Sequence, residues 1–206
     1  MDVPSPIDTI EQLESLYRKP GAAASTKVLA HLNEGMAQFV DRASFLVLAT
    51  SDGSGSVDAS PRGGPPGFVQ RLDDRHVAIP DLNGNNRLDS LRNIVAFPWA
   101  GLLMVVPGQE DTLRVNGPAA LTTDSGILAG FSQELRTPKL AVVIETAEVY
   151  GHCAKAFKRG NLWQPDAWDQ GATPDLATMY ACVWNLDEQV VRDDLAHSYS
   201  ADLAQD

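Results

Sequence analysis

The chain has 206 residues, of which 44% are hydrophobic and 21% charged. That is enough for one domain with a real core and ordinary for a soluble globular protein. A formal charge of −11 and a pI near 4.7 exclude a nucleic-acid binder, which needs a broad basic face, but not a ligand with one phosphate, which needs only a local basic pocket. No apolar run approaches the roughly 20 residues of a membrane helix. The N-terminus has neither the basic nor the apolar region of a signal peptide, so a cytoplasmic protein with free thiols is expected. Cys153 and Cys182 form no C-x-x-C pair, which argues against a zinc ribbon or a thioredoxin-like site.

Residues 5–40 read as helical. Thr9 and Gln12 have capping-box spacing ahead of Ile10, Leu13, Leu16 and Tyr17. After the Pro20-Gly21 break, Val28, Leu29, Leu32, Met36, Phe39 and Val40 keep helical register and predict a second amphipathic helix. The pattern then changes to strands. Phe45 to Thr50 is a buried strand, Ser51 to Gly55 a turn, and Ser56 to Ser60 the returning strand. Phe68 to Leu72 and His76 to Ile79 form a short hairpin around Asp73-Asp74. Residues 86–95 read as a helix, Trp99 to Val106 as an apolar strand, and Thr112 to Thr122 as the next strand. A short helix is expected from an Asp124 cap to Phe131, and one long strand from Leu140 to Tyr150. The chain therefore divides into N-terminal helices (5–40), a barrel (44–150) and a C-terminal segment of loops and helices (151–206) within a single domain. Six antiparallel strands with one inserted helix predict a mainly β (α+β) fold, a small split β-barrel, and not a doubly wound sheet. The Gly-x-Gly-x-x-Gly dinucleotide fingerprint is absent after every strand.

Two segments carry chemistry. Ala59-Ser60-Pro61-Arg62-Gly63-Gly64 and Asn83-Gly84-Asn85-Asn86-Arg87 each set an arginine among glycines and small polar residues at the edge of a strand. Glycine lets the backbone come close, amides and Asn or Ser side chains donate hydrogen bonds, and arginine forks onto two oxygens. Asn85, Asn86 and Arg87 also precede a helix, whose first amides favour an anion. Ser90, three residues on from Arg87, can reach the same phosphate. This set points to a phosphate-bearing cofactor, FMN first. Arg62, Arg87, Arg92, Arg114, Lys155, Lys158 and Arg159 are read as one basic cluster, with Arg114 the member best explained as an outward strand residue pairing with an acid such as Glu145. His152 beside Cys153 has no second pair, so no metal site is expected. No hydrolase elbow or zinc helix is present, and no catalytic acid or base can be singled out.

The run from Phe45 to Trp163 resembles the pyridoxamine 5′-phosphate oxidase-like family of FMN-binding split barrels, best its bacterial oxidase-related branch. The matching pieces are Phe45-Leu46-Val47-Leu48-Ala49-Thr50, Ser60-Pro61-Arg62-Gly63, Asn85-Asn86-Arg87-Leu88-Asp89-Ser90-Leu91-Arg92-Asn93-Ile94, Leu113-Arg114-Val115-Asn116-Gly117 and His152-Cys153-x-Lys155-Ala156-x-x-Arg159-x-x-Leu162-Trp163. The resemblance implies a homodimer with two FMN sites at the subunit interface, the phosphate on Arg62 and Asn85-Asn86-Arg87. It also implies a segment after the last strand that covers the flavin ring. There Lys155 or Arg159 stabilises the reduced anion and Trp163 stacks on the ring. Family oxidases carry Arg-x-x-x-Leu-Lys and Ser-Arg-Lys where this chain has Ser-Pro-Arg-Gly and Asn-Asn-Arg. Their Arg-Leu-x-Pro ending is missing here, which points to a different small-molecule substrate, with NAD(P)H or dioxygen as the second. A deazaflavin or haem split barrel, and a flavin-binding sensor without turnover, remain as the alternatives.

Overall fold

The computed structural model describes residues 3–131, 134–169, 171 and 173–205. The chain opens with α1 (Ile10–Ser15), whose capping box forms as expected: Gln12 N donates to Thr9 Oγ1, and Thr9 N donates back to Gln12 Oε1, both at 3.2 Å. A short α2 (Ala22–Thr26) follows. The second predicted helix starts later than its periodicity suggests. α3 spans Glu34–Arg42, capped by the Asn33 side chain, which accepts from Met36 N at 2.9 Å. Val28 and Leu29 stay extended, and Leu29 exchanges two backbone hydrogen bonds with Val149. That strand has an open edge needing partners, while Asn at a helix start offers the backbone a cap that ends the helix there.

Among the described residues, eight strands form the sheet: β1 (Phe45–Ser51), β2 (Val57–Gly63), β3 (Gln70–Arg71), β4 (His76–Pro80), β5 (Trp99–Val105), β6 (Thr112–Thr122), β7 (Ala141–Glu145) and β8 (Glu148–His152). All neighbours are antiparallel, in the order β2-β1-β5-β6-β7-β4-β3, with β8 pairing β6. The single strand expected over 140–150 is broken into β7 and β8, which is where the two additional strands beyond six partly arise. The reason lies in β6. Residues 112–116 pair with β8, whereas 119–122 pair with β7. At the changeover, a Cβ on Gly117 would sit 1.8 Å from Glu145 O. Only glycine permits that approach, and the chain jogs at Thr146-Ala147, with Ala147 N donating to Asn116 O at 2.9 Å.

Register sorts the side chains onto two faces. Leu46, Leu48, Leu102, Met104, Leu113, Val115 and Val149 point inward and are buried with Phe68, Val77, Ile79 and Ile144 in one core. α4 (Asp89–Ala96) lies over this side, burying Leu91 and Ile94 and bonding Asn93 Nδ2 to the buried Thr50 Oγ1 at 3.0 Å. A small second core of Ala78, Phe131 and Ala141 sits under α5 (Ser125–Ala129), which Asp124 caps. After the sheet come α6 (Lys155–Arg159), α7 (Leu176–Trp184) and α8 (Glu188–Leu203). No helix among the described residues is long and apolar enough to cross a membrane.

Candidate functional site

β2 supplies the first wall. Its partners on β1 are Thr50↔Asp58, Leu48↔Ser60 and Leu46↔Arg62. Paired residues of an antiparallel ladder share a face, so Asp58, Ser60 and Arg62 turn toward the same side as the core leucines. They lie beyond the edge of the core, where β2 is the last strand, and all three are half-buried. Arg62 Nη1 donates to Ser60 Oγ and to Pro61 O (2.8 Å), and Nη2 reaches Ser90 Oγ at 3.4 Å. Ser90, 3% exposed, donates its own hydrogen to Asp58 Oδ2 at 2.5 Å. Each guanidinium hydrogen bond thus ends on a neutral oxygen, which orients the fork without neutralising it.

The loop after β4 supplies the opposite wall. The helix begins at Asp89 and not at 86, so Asn85, Asn86 and Arg87 stand before it. Asn86 (φ 56°) and Leu88 (φ 63°) take the left-handed conformation. Asn85 Oδ1 accepts from Arg87 N at 3.0 Å, and Arg87 Nε pairs with Asp89 Oδ2 at 2.8 Å. Neither asparagine caps α4: its N-cap is Leu88, and no side chain bonds the first amides. An uncapped helix N-terminus of this kind holds donors for an anion.

The two walls enclose a cavity of about 560 Å³ that gathers Ser60, Arg62, Gly63, Asn85, Asn86, Arg87 and Ser90. Lining residues that sequence reasoning missed include Asp58, Asp81, Asp89 and Leu203. The period-2 run Asp58-x-Ser60-x-Arg62 carried the signal for the first. Asp89 is local, two residues from Arg87, whereas Asp81 and Leu203 are brought to the cavity by tertiary folding. Asp58 and Asp89 are engaged by Ser90 and Arg87. Burial pushes the Asp81 carboxyl above the ordinary carboxylate range, and the positive charges of Arg62 and Lys139 only partly oppose this. The donor set suits one phosphate group: a preset arginine fork, a second exposed arginine, the Ser60 hydroxyl and open helix amides; Ser90, expected to reach the phosphate, instead gives its one hydrogen to Asp58. Among the described residues no three His, Cys, Asp or Glu side chains gather as metal ligands.

The expected basic cluster is split between two faces. Across the outer side of the sheet run the rows Val47–Leu103–Arg114–Tyr150 and Ala49–Gly101–Asn116–Glu148. They floor a second, mostly apolar cavity of about 380 Å³ whose rim includes His152, Cys153, Ala156 and Phe157. Arg114 does face outward, but its guanidinium stacks over the Tyr150 ring (5.4 Å), whereas Glu145 lies opposite His76. Lys155, Arg159 and Trp163 belong to the segment on this side too, and none of them lines the cavity of Arg62 and Arg87. Trp163 Nε1 donates to Gln109 O at 2.7 Å, its ring meets Phe157 edge-on at 6.0 Å, and Lys158 pairs with Glu110 at 3.0 Å. These contacts pin α6 to the turn between β5 and β6.

Fold and site together define an antiparallel split-barrel protein with a polar cavity, lined by two arginines, beside its edge strand. The sequence matches the model of the family described as pyridoxamine 5′-phosphate oxidase over residues 32–153, and the chain belongs to that family. No curated protein matches it. Similar solved structures include HupZ of Group A Streptococcus (16% identity, 58% of this chain and 93% of that one, TM-score 0.46). Others are General Stress Protein 26 of Bacillus anthracis (15%, 57% and 91%, 0.44) and an FMN-binding protein of Syntrophomonas wolfei (12%, 57% and 80%, 0.41). The family assignment rests on the match over 32–153, not on these distant likenesses.

Proposed function

We propose that this protein binds FMN between β2 and α4, works as a homodimer, and is an oxidoreductase acting on a small organic molecule other than pyridoxamine 5′-phosphate, with NAD(P)H or dioxygen as second substrate. The observation that carries the reading is the convergence of Arg62 and the uncapped start of α4 on one cavity. The phosphate takes the Arg62 fork, the amides of α4 and the Asn85-Asn86-Arg87 loop. Bound flavin supplies the hydride or electron chemistry, and the chain supplies grip, orientation and charge. The dimer is favoured by the outer face of the sheet, where Phe45 (40%) and Trp99 (45%) are exposed beside the apolar second cavity. A second subunit packed there would set its own phosphate cavity near α6, with Lys155, Arg159 and Trp163 beside the flavin ring. An acidic-tailed deazaflavin is disfavoured, because Asp58, Asp81 and Asp89 line the same cavity.

The test is the visible spectrum of the protein as purified and after titration with FMN, with sedimentation equilibrium on the loaded sample. A yellow dimer whose flavin is reduced by NAD(P)H in anaerobic stopped flow supports the whole reading. A flavin that binds yet is inert to both nicotinamides and to reoxidation assays moves the assignment to a flavin-binding protein without turnover. A colourless protein that ignores FMN ends the cofactor reading.

A further inference from the structure

The cavity on the outer face of the sheet, about 380 Å³, takes no part in the phosphate reading. Val47, Ala49 and Leu103 floor it, and Phe157 of α6 stands at its rim. Among the described residues that line it, Arg114 alone carries a fixed charge. Its guanidinium is half-buried and stacks on Tyr150. No described acid pairs with it. On the next row of the same face, Glu148 accepts from Asn116 Nδ2 at 3.0 Å, and Glu110 beside α6 is taken by Lys158. Lys27 Nζ lies 4.9 Å from the centre of the same Tyr150 ring, so a second cation adds to the field. In a chain of net charge −11, two neighbouring cations with no carboxylate paired to either mark a place for an anion from outside.

We propose that this outer cavity is the substrate site and takes a small apolar monocarboxylate with a planar ring, its carboxylate on the Arg114 fork and its ring over Val47 and Leu103. The inference rests on the FMN and homodimer reading above, which sets the flavin ring beside α6, and goes beyond it by naming the substrate class. One guanidinium matches one carboxylate: two parallel N–H donors meet two oxygens, and the charges cancel. A phosphate dianion would keep one charge in apolar surroundings, which is costly. The apolar floor favours a ring and offers nothing to a polyol. The two cavities thus divide the labour by chemistry: the Arg62 cavity has the donors for a phosphate, and the Arg114 cavity has one fork in an apolar basin.

The experiment is calorimetric titration of the full-length, FMN-loaded protein with benzoate and with benzyl alcohol, its uncharged counterpart, while the visible flavin band is followed in parallel. Loading fills the Arg62 cavity, so the probes report on the outer one. Wild type should bind benzoate at least about tenfold more tightly than the alcohol, and benzoate should shift the flavin band as it saturates. Arg114→Gln should lose that margin and keep its affinity for the alcohol. Arg114→Lys, which keeps the charge without the fork, should retain part of it. If Arg114→Gln melts early, the lysine variant decides, and its margin must fall by at least about threefold. Equal affinities for the two probes, or a margin that the Arg114 variants leave alone, overturn the inference and spare the FMN site. So does an Arg114→Gln protein that sediments as a monomer, because the second subunit then supplies the carboxylate that Arg114 holds. Benzoate binding through Arg114 that leaves the flavin band unmoved overturns the substrate role. A protein that takes up no FMN overturns the FMN reading, and the inference with it.

Discussion

Arg62→Ala is the sharpest perturbation of the site. Arg62 lines the cavity with its fork held by neutral oxygens, Ser60, Pro61 O and Ser90. Two charge-assisted hydrogen bonds to a phosphate lost from a half-buried place cost about 1.5–3 kcal/mol, or about 10- to 150-fold in affinity. Asp58 adds to this, because its carboxylate then faces the phosphate with no cation between them. Arg87→Ala is expected to cost less, because its side chain is 72% exposed and already paired with Asp89. Fluorescence titration with FMN and with riboflavin separates binding of the phosphate from binding of the ring. The Arg62 variant should lose FMN affinity and keep riboflavin affinity. Equal losses for both ligands, or an unchanged FMN affinity, would refute the placement of the phosphate on Arg62. β2 is an edge strand, so the variant's thermal melt should match wild type, which keeps the affinity change interpretable.

Ser90→Ala removes the donor on which Asp58 depends, and a loss of about 1–3 kcal/mol in urea unfolding is expected; an unchanged midpoint would mean that water serves Asp58 as well. Gly117→Ala should destabilise by about 3 kcal/mol, since the new Cβ collides with backbone that cannot rotate away; wild-type stability would contradict the β6 changeover. Asp81 has its folded pKa raised by burial, so it favours folding while protonated and withdraws that support as pH rises through the folded pKa. Asp81→Asn should therefore raise the Tm at about pH 7 and leave it unchanged near pH 3, where folded and unfolded carboxyls are both protonated. Asp175 moves the other way. The Arg192 guanidinium and the Thr178 amide hold its carboxyl down to about 2. Its support for the hairpin is present above the ordinary carboxylate range and fades as pH falls toward 2, so far-UV ellipticity should drop over that interval in wild type and not in Asp175→Asn.

Much of the barrel was legible because one half-buried sheet writes its own alternation. The limits of β1 and β6, the Thr9 capping box and the Asp124 cap follow from residues within a few positions of each other. That the two arginine-bearing segments would be polar loop edges was legible for the same reason: arginine among Gly, Ser and Asn is a local composition with a local chemistry. What the sequence did not contain is the pairing of distant backbone. The helix expected through Val28 and Leu29 gave way to an extended bridge because β8 had an edge to fill. The strand over 140–150 broke because β6 changes partners at Gly117. The basic residues, near one another in a list, were parted by a sheet that sends Arg62 to one face and Arg114 to the other. Asp81 and Leu203 joined the cavity only when β4 and α8 were brought to it. Periodicity and caps are set by neighbours along the chain; a cavity is set by which distant segments share a wall, and the packed core decides that.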